Sequence, residues 1–234
     1  MSGPEAAGGA VASAQRLSDS GDHVGALAAA DRAIALDPSR ADAFTARGWA
    51  LENLGHLVDA REAYREAVRR NPGEIRAKEG LSNVLRCLGL PAEADVLAAE
   101  VVADADARGD DAEALELKGW CEYRLERFED AETSFRRALE LDTDALAVRL
   151  DLALVLLCAG RGPEALETYR DGLVAARRSG GRAGLVAVAL DDLDGALEER
   201  PELRGEPSAV AARAILAGFG DASSGSGSVP MGGP

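Results

Sequence analysis

Small and apolar residues recur along this chain at helical spacings of three and four, and the whole arrangement returns every thirty-four residues. Gly21, Gly55, Gly89 and Gly160 mark the phase, with Glu126 in the same slot between the last two. Five residues after each stands an alanine: Ala26, Ala60, Ala94, Ala131 and Ala165. Seven residues further on come Ala33, Ala67, Val101, Ala138 and Gly172. The first two units close with Asp37-Pro38 and Asn71-Pro72. A fixed period of this length marks stacked helical hairpins, none of which can bury its apolar face alone. The pattern predicts five units, at 7–40, 41–74, 75–108, 112–145 and 146–179, with Gly109-Asp110-Asp111 as an insertion that breaks the phase.

The second unit shows the local logic. Phe44, Gly48 and Leu51 fall on one stripe of its first helix. Leu54-Gly55 ends that helix, because glycine reverses the chain at no steric cost. The second helix carries Ala60, Tyr64 and Ala67, and Asn71-Pro72 stops it. Gly48 and Ala60 let the two helices approach closely. Pro91 and Pro163 open the second helices of units three and five, where a missing N–H costs nothing. Units three, four and five have Asp106, Thr143 and Arg177 in place of the closing proline, so their second helices are expected to run longer. Beyond the fifth unit, Val186, Leu190, Leu193 and Leu197 form the apolar stripe of a helix over 183–199. A turn at 200–206 and a helix from Pro207 to about Gly218 follow. This pair, within 180–219, is expected to cap the open end of the stack. Residues 1–6 and the Gly/Ser/Pro-rich 220–234 are expected to be disordered.

Composition narrows the function. Nearly half the chain is hydrophobic and only 4% is aromatic, so the core is built from Ala, Leu and Val. The formal net charge of -15 repels phosphate backbones and anionic membranes, which argues against nucleic-acid or membrane partners. The acidity either serves solubility or steers in a basic partner. Cys87, Cys121 and Cys158 form no CxxC pair and fit buried, reduced thiols in a cytoplasmic protein. The start of the chain has no signal-peptide pattern. Enzymatic readings lack their parts. His23 and His56 sit at hairpin turns without a metal-ligand cluster, no phosphate loop follows a strand, and no nucleophile has a base in register. No catalytic residue, metal or cofactor is expected.

The sequence Phe44-x-x-Arg47-Gly48-x-x-Leu51, then Ala60-x3-Tyr64-x2-Ala67-x4-Pro72, resembles the tetratricopeptide repeat. Leu115-x-x-Lys118-Gly119 and Ala131-x3-Phe135-x2-Ala138 repeat it in unit four. The resemblance covers 7–179. Arg47 and Lys118 depart from it, standing where the family often has leucine. It implies an all-α, right-handed superhelical solenoid of helix-turn-helix repeats that holds a peptide or helix of a partner protein in its inner groove. It implies no reaction.

In this family the first helix of each unit lines the groove. The resemblance therefore places Thr45, Trp49 and Glu52 on the inner face from unit two, and Glu79, Asn83 and Arg86 from unit three. Unit four adds Glu116, Trp120, Tyr123 and Arg124. Trp49 and Trp120 occupy equivalent slots. Exposed, they would anchor a ligand; set against a neighbouring repeat, they would be packing. Glu52, Glu79 and Glu116 would receive cations, which fits a basic partner with apolar anchors. Asn83 and Arg86 could bond a backbone or an acidic side chain. The carboxylate clamp by which some relatives grip a chaperone tail would need basic and asparagine side chains in matching slots. Here those slots hold Val11, Gln15, Ala46, Arg76 and Gly80, and only Arg76 fits. Unit five differs, because its inner face carries Leu150, Leu154 and Leu157. Either the chain's own helix 183–199 covers them, or an outside chain does; the second reading of function is a structural subunit that self-associates through this leucine face or through the last helices.

Overall fold

The computed structural model describes residues 3–178 and 183–223, and every described element is helical. The chain divides into two compact units, Met1–Arg127 and Phe128–Pro234. The first holds α1 (Gly3–Asp19), α2 (His23–Leu36), α3 (Ala41–Asn53), α4 (Leu57–Arg70), α5 (Ile75–Cys87), α6 (Pro91–Arg108) and α7 (Ala112–Arg124). The second holds α8 (Phe128–Leu141), α9 (Leu146–Cys158), α10 (Gly162–Arg178), α11 (Ala183–Glu199) and α12 (Pro207–Ser223), with a 3-10 turn at Pro201–Gly205. The boundary falls between the two helices of the fourth sequence unit.

The phase-marking residues do the work their spacing implies. Gly21, Gly55, Gly89 and Gly160 sit at φ of 82°, 76°, 76° and 77°. At each, the two N–H groups that follow the helix bond back into its last turn, as Gly55 N–H to Glu52 O and His56 N–H to Leu51 O, both at 2.9 Å. Glu126 adopts the same left-handed conformation, at φ 58°, and closes the same pair of bonds. A side chain with a Cβ is strained there by roughly 1–2 kcal/mol.

Helix ends correct three expectations. α6 and α10 do run past the usual stop, but α8 ends at Leu141. Asp142 takes over the stop, since its carboxylate accepts from Asp144 N–H at 3.1 Å, as Asn71 does from Gly73 N–H. α1 begins at Gly3, inside the segment 1–6 expected to be disordered, where its first turn includes Glu5. α12 continues to Ser223, past the expected end near Gly218. The expected disorder at 1–2 and 224–234, and the link at 179–182, lie outside the described residues.

Within the first unit, α1 packs on α3, α3 on α5 and α5 on α7, so the first helices make one layer and α2, α4 and α6 the other. Between them lies a core of Leu51, Ala60, Tyr64, Ala67, Ala77, Leu81, Val84, Leu85 and Ala94. Tyr64 is its largest member. A Cβ on Gly48 would lie 2.7 Å from the Tyr64 ring, and one on Gly80 would lie 2.3 Å from it. Two glycines from successive first helices therefore make room for one ring. The departures from the repeat pattern become ion pairs between helices: Arg47 with Asp31 of α2 at 2.9 Å, and Lys118 with Asp106 of α6 at 2.6 Å.

In the second unit, α9 is the buried element: Leu146, Val148, Leu150 and every residue from Leu152 to Leu157 are out of solvent. A helix apolar on nearly every side needs neighbours on nearly every side. α8 and α10 flank it, and α11 packs against it as well. α12 packs on α10 and on α11. Val186, Ala189, Leu193 and Ala196 form the buried stripe of α11.

Candidate functional site

The first helices of the first unit enclose an open pocket of about 580 Å3. α1 contributes Ala14, Gln15, Ser18 and Asp19, α3 contributes Asp42, Thr45, Ala46 and Trp49, and α5 contributes Arg76 and Glu79. Glu74, just before α5, and Glu113 and Leu117 of α7 complete the wall, with Tyr64 at the back. Five of these side chains are acidic and one is basic. That one, Arg76, is already bonded to Glu113, which holds its guanidinium firmly charged. Asp42 is engaged from outside the pocket by Arg40, at 2.5 Å.

Behind the wall runs a hydrogen-bonded network. The Tyr64 hydroxyl donates to Glu52 Oε2 at 2.8 Å, and Asn83 Nδ2 donates to the other oxygen of the same carboxylate. Arg124 donates to Glu79, and both side chains are more than four-fifths buried. Burial pushes the Glu52 carboxyl above its ordinary range, against the pull of its bonds to Tyr64 and Asn83. Burial likewise raises Tyr64, helped by the Glu52 charge. For Arg124, burial alone would favour losing the proton, but the Glu79 carboxylate outweighs it.

Carboxylates outside this network are crowded. Burial raises Glu74, and the carboxylates of Asp42 and Glu113 add to it. Burial raises Glu116, with Arg76 opposing and Glu113 and Glu79 reinforcing. Such crowding of like charge is relieved by a proton or by a cation. Cys121 is buried in the same unit, which pushes its thiol up to about 12 and leaves it unreactive.

The sequence-derived groove residues divide. Thr45, Trp49 and Glu79 line the pocket. Thr45 turns its hydroxyl back to Ala41 O at 3.3 Å. Trp49 is 41% exposed and meets His23 edge-on, with ring centres 6.1 Å apart. Glu52 and Glu79 were expected to receive a partner's cations and Asn83 to bond a partner. Glu52 instead accepts from Tyr64 and Asn83, and Glu79 accepts from Arg124. Arg86 pairs with Asp95 of α6 at 2.6 Å. Tyr123 is buried, and Trp120 packs on it edge-on at 5.6 Å, so this tryptophan serves packing as well as surface. Sequence reasoning passed over Asp19, Glu74 and the role of Tyr64 as the back wall. Asp19 and Glu74 flank the helices on which the repeat pattern concentrates. In the second unit Leu150, Leu154 and Leu157 are all buried, at 2%, 2% and 1% exposure. Leu150 lies against Gly172 of α10, where an added Cβ would be 2.9 Å from it.

Among the described residues, no group of three or more His, Cys, Asp or Glu could hold a metal, and no helix is long and apolar enough to cross a membrane.

Comparison with known proteins gives the class. The tetratricopeptide repeat family matches over residues 11–75, 88–145 and 122–181, together well over half of the chain. The chain belongs to that family, whose members typically mediate protein–protein interactions and are usually non-catalytic. Among solved structures it is similar to a thermophilic TPR protein of Thermus thermophilus, at 25% identity and a TM-score of 0.65, covering 79% of this chain and 99% of that one. It shares its fold with PilF of Pseudomonas aeruginosa, at 19% identity and a TM-score of 0.55 over 92% of this chain and 100% of that one. PilW, a widely conserved type IV pilus biogenesis factor, matches at 19% identity and 0.54 over 90% and 98%. No curated protein matches the sequence.

Proposed function

We propose that this protein is a non-catalytic adaptor that holds a segment of a partner polypeptide in the pocket of its first unit. The supporting observation is Trp49, a large apolar side chain left 41% exposed in a concavity lined by four successive first helices. Exposed aromatic surface in a concave site is where binding energy concentrates. The pocket's volume lies in the range of sites that take a compact anchor and not a whole helix. Its acidic lining favours a basic partner with an apolar anchor. Three cysteines without a CxxC pair fit work in a reducing compartment such as the cytoplasm, although only Cys121 is buried as expected, Cys87 being exposed and Cys158 half-buried. The burial of Leu150, Leu154 and Leu157 leaves self-association through that face without a surface to use.

Display of random peptides against the immobilised full chain tests this. Enriched peptides should bind wild type and lose at least about tenfold in affinity with Trp49→Ala. Peptides that bind both proteins equally would reject the pocket as the site.

A further inference from the structure

Trp49 and Trp120 stand at the same position of their repeats, directly after Gly48 of α3 and Gly119 of α7. Their surroundings differ one turn further on. Four residues after Trp120 comes Arg124, whose guanidinium carbon lies 5.6 Å from the indole centre and whose nitrogen bonds the Glu79 carboxylate. The protein thus builds a three-part clasp at that site: an indole, a guanidinium and a carboxylate. Four residues after Trp49 comes Asn53, which instead donates to Trp49 O at 2.9 Å. The Trp49 ring remains exposed, and the carboxylates of Asp19 and Glu74 line the same pocket.

We propose that the partner supplies the missing guanidinium: an arginine side chain, seated over the indole of Trp49 and neutralised by the acidic lining, Asp19 and Glu74 foremost. This rests on the adaptor reading above and names the chemistry its pocket selects. Arginine fits better than lysine because its planar, weakly hydrated head stacks on an indole while its edge bonds carboxylates. The clasp at Trp120 shows this chain making that arrangement with its own arginine. The resident cations pair with part of the same lining, Arg76 with Glu113 and Arg40 with Asp42, which leaves Asp19 and Glu74 as the carboxylates open to an arrival. An arriving guanidinium therefore meets acidic side chains in excess of the local bases. Long-range attraction follows from the chain's charge of -15.

Nuclear magnetic resonance on the nitrogen-15-labelled full chain reads this directly, because the chain has two tryptophans and so two indole signals. The probes are N-acetyl-arginine amide and its neutral isostere, N-acetyl-citrulline amide. The Trp49 indole signal should move saturably with the arginine probe, the Trp120 signal should stay, and citrulline should bind about tenfold more weakly or worse. Asp19→Asn with Glu74→Gln should weaken the arginine response several-fold. Asn53→Arg, at an exposed position, should rebuild the clasp in cis and abolish the response. Equal binding of the two probes, a static Trp49 signal, or a full response in Asn53→Arg would each overturn the proposal. Display-selected peptides that need Trp49 yet bind Asn53→Arg unchanged would keep the adaptor reading and sink this one.

Discussion

The first helices of the two units face opposite problems. In the first unit α3, α5 and α7 turn one side to a shared core and keep carboxylates and an indole on the other, around an open pocket. In the second unit α9 has little polar side to spare and is covered by α8, α10 and α11. The same hairpin plan yields a pocket wall where the outward positions are Thr45 and Trp49, with Glu52 bonded behind it to Tyr64 and Asn83. It yields a structural centre where they are Leu150, Leu154 and Leu157. The lesson is that outward composition, and not repeat identity, decides which first helices are left open to solvent and which are buried.

The sharpest way to break this contrast is to put matched changes on both faces. Leu154→Asp buries a charge with no partner in α9 and should cost about 4 kcal/mol or more, unfolding the second unit in chemical denaturation followed by circular dichroism. Trp49→Ala, at the equivalent position of α3, should change stability by less than about 1 kcal/mol while removing partner binding. Similar stability losses at the two positions would erase the distinction.

A second change probes the back wall of the pocket. Gly80→Ala drives a methyl group into the Tyr64 ring, whose hydroxyl bonds Glu52, so the ring or the α5 backbone must shift. The expected loss is about 1–3 kcal/mol, read from the unfolding midpoint, together with weaker binding because the wall moves.

Acidity offers a gentler test. Glu52, Glu74 and Glu116 all have carboxyls raised above their ordinary range by burial. The folded first unit therefore holds more protons than the unfolded chain between the ordinary carboxyl pKa near 4.5 and the raised values. The stability these groups offer is full below that window and is lost as pH rises through it. Acidifying from neutral pH towards 5 should therefore stabilise the first unit through these groups. Glu74→Gln, which makes the neutral form permanent, should raise stability at neutral pH by up to about 1 kcal/mol after solvent screening and flatten that pH dependence. An unchanged slope in Glu74→Gln would remove the crowded carboxylates from the account.

The smallest expected effect concerns the turns. Glu126→Gly relieves the left-handed strain at φ 58° and should stabilise by about 0.5–1 kcal/mol in thermal melts, whereas Gly55→Ala should destabilise by a similar amount.

Much of this was legible in the residues. The thirty-four-residue phase located five left-handed turns, Glu126 among them, because a Schellman-type stop makes a strong local demand on one position. The ends of α3 and α4 and the bounds of α11 followed from stripes and stops that act within a helix. What escaped was non-local or overridden. Asp142 stops α8 through an Asx turn where proline was the expected signal. Glu52 and Glu79 read as open acceptors because their bonding partners, Tyr64, Asn83 and Arg124, come from other helices. The pocket's acidic rim includes Asp19 and Glu74, which lie at a helix end and just before a helix start, where face-by-face reading has no purchase. The packing of α11 against α9, by contrast, is one of the two coverings that Leu150, Leu154 and Leu157 called for in the sequence.

Amide hydrogen exchange with and without a display-selected peptide tests the central claim most directly. New protection should appear in α3 and α5 around Trp49, with α9 and α11 unchanged. Protection gained on α9, or exposure of its leucines as the peptide binds, would contradict the division between an open first unit and a sealed second one.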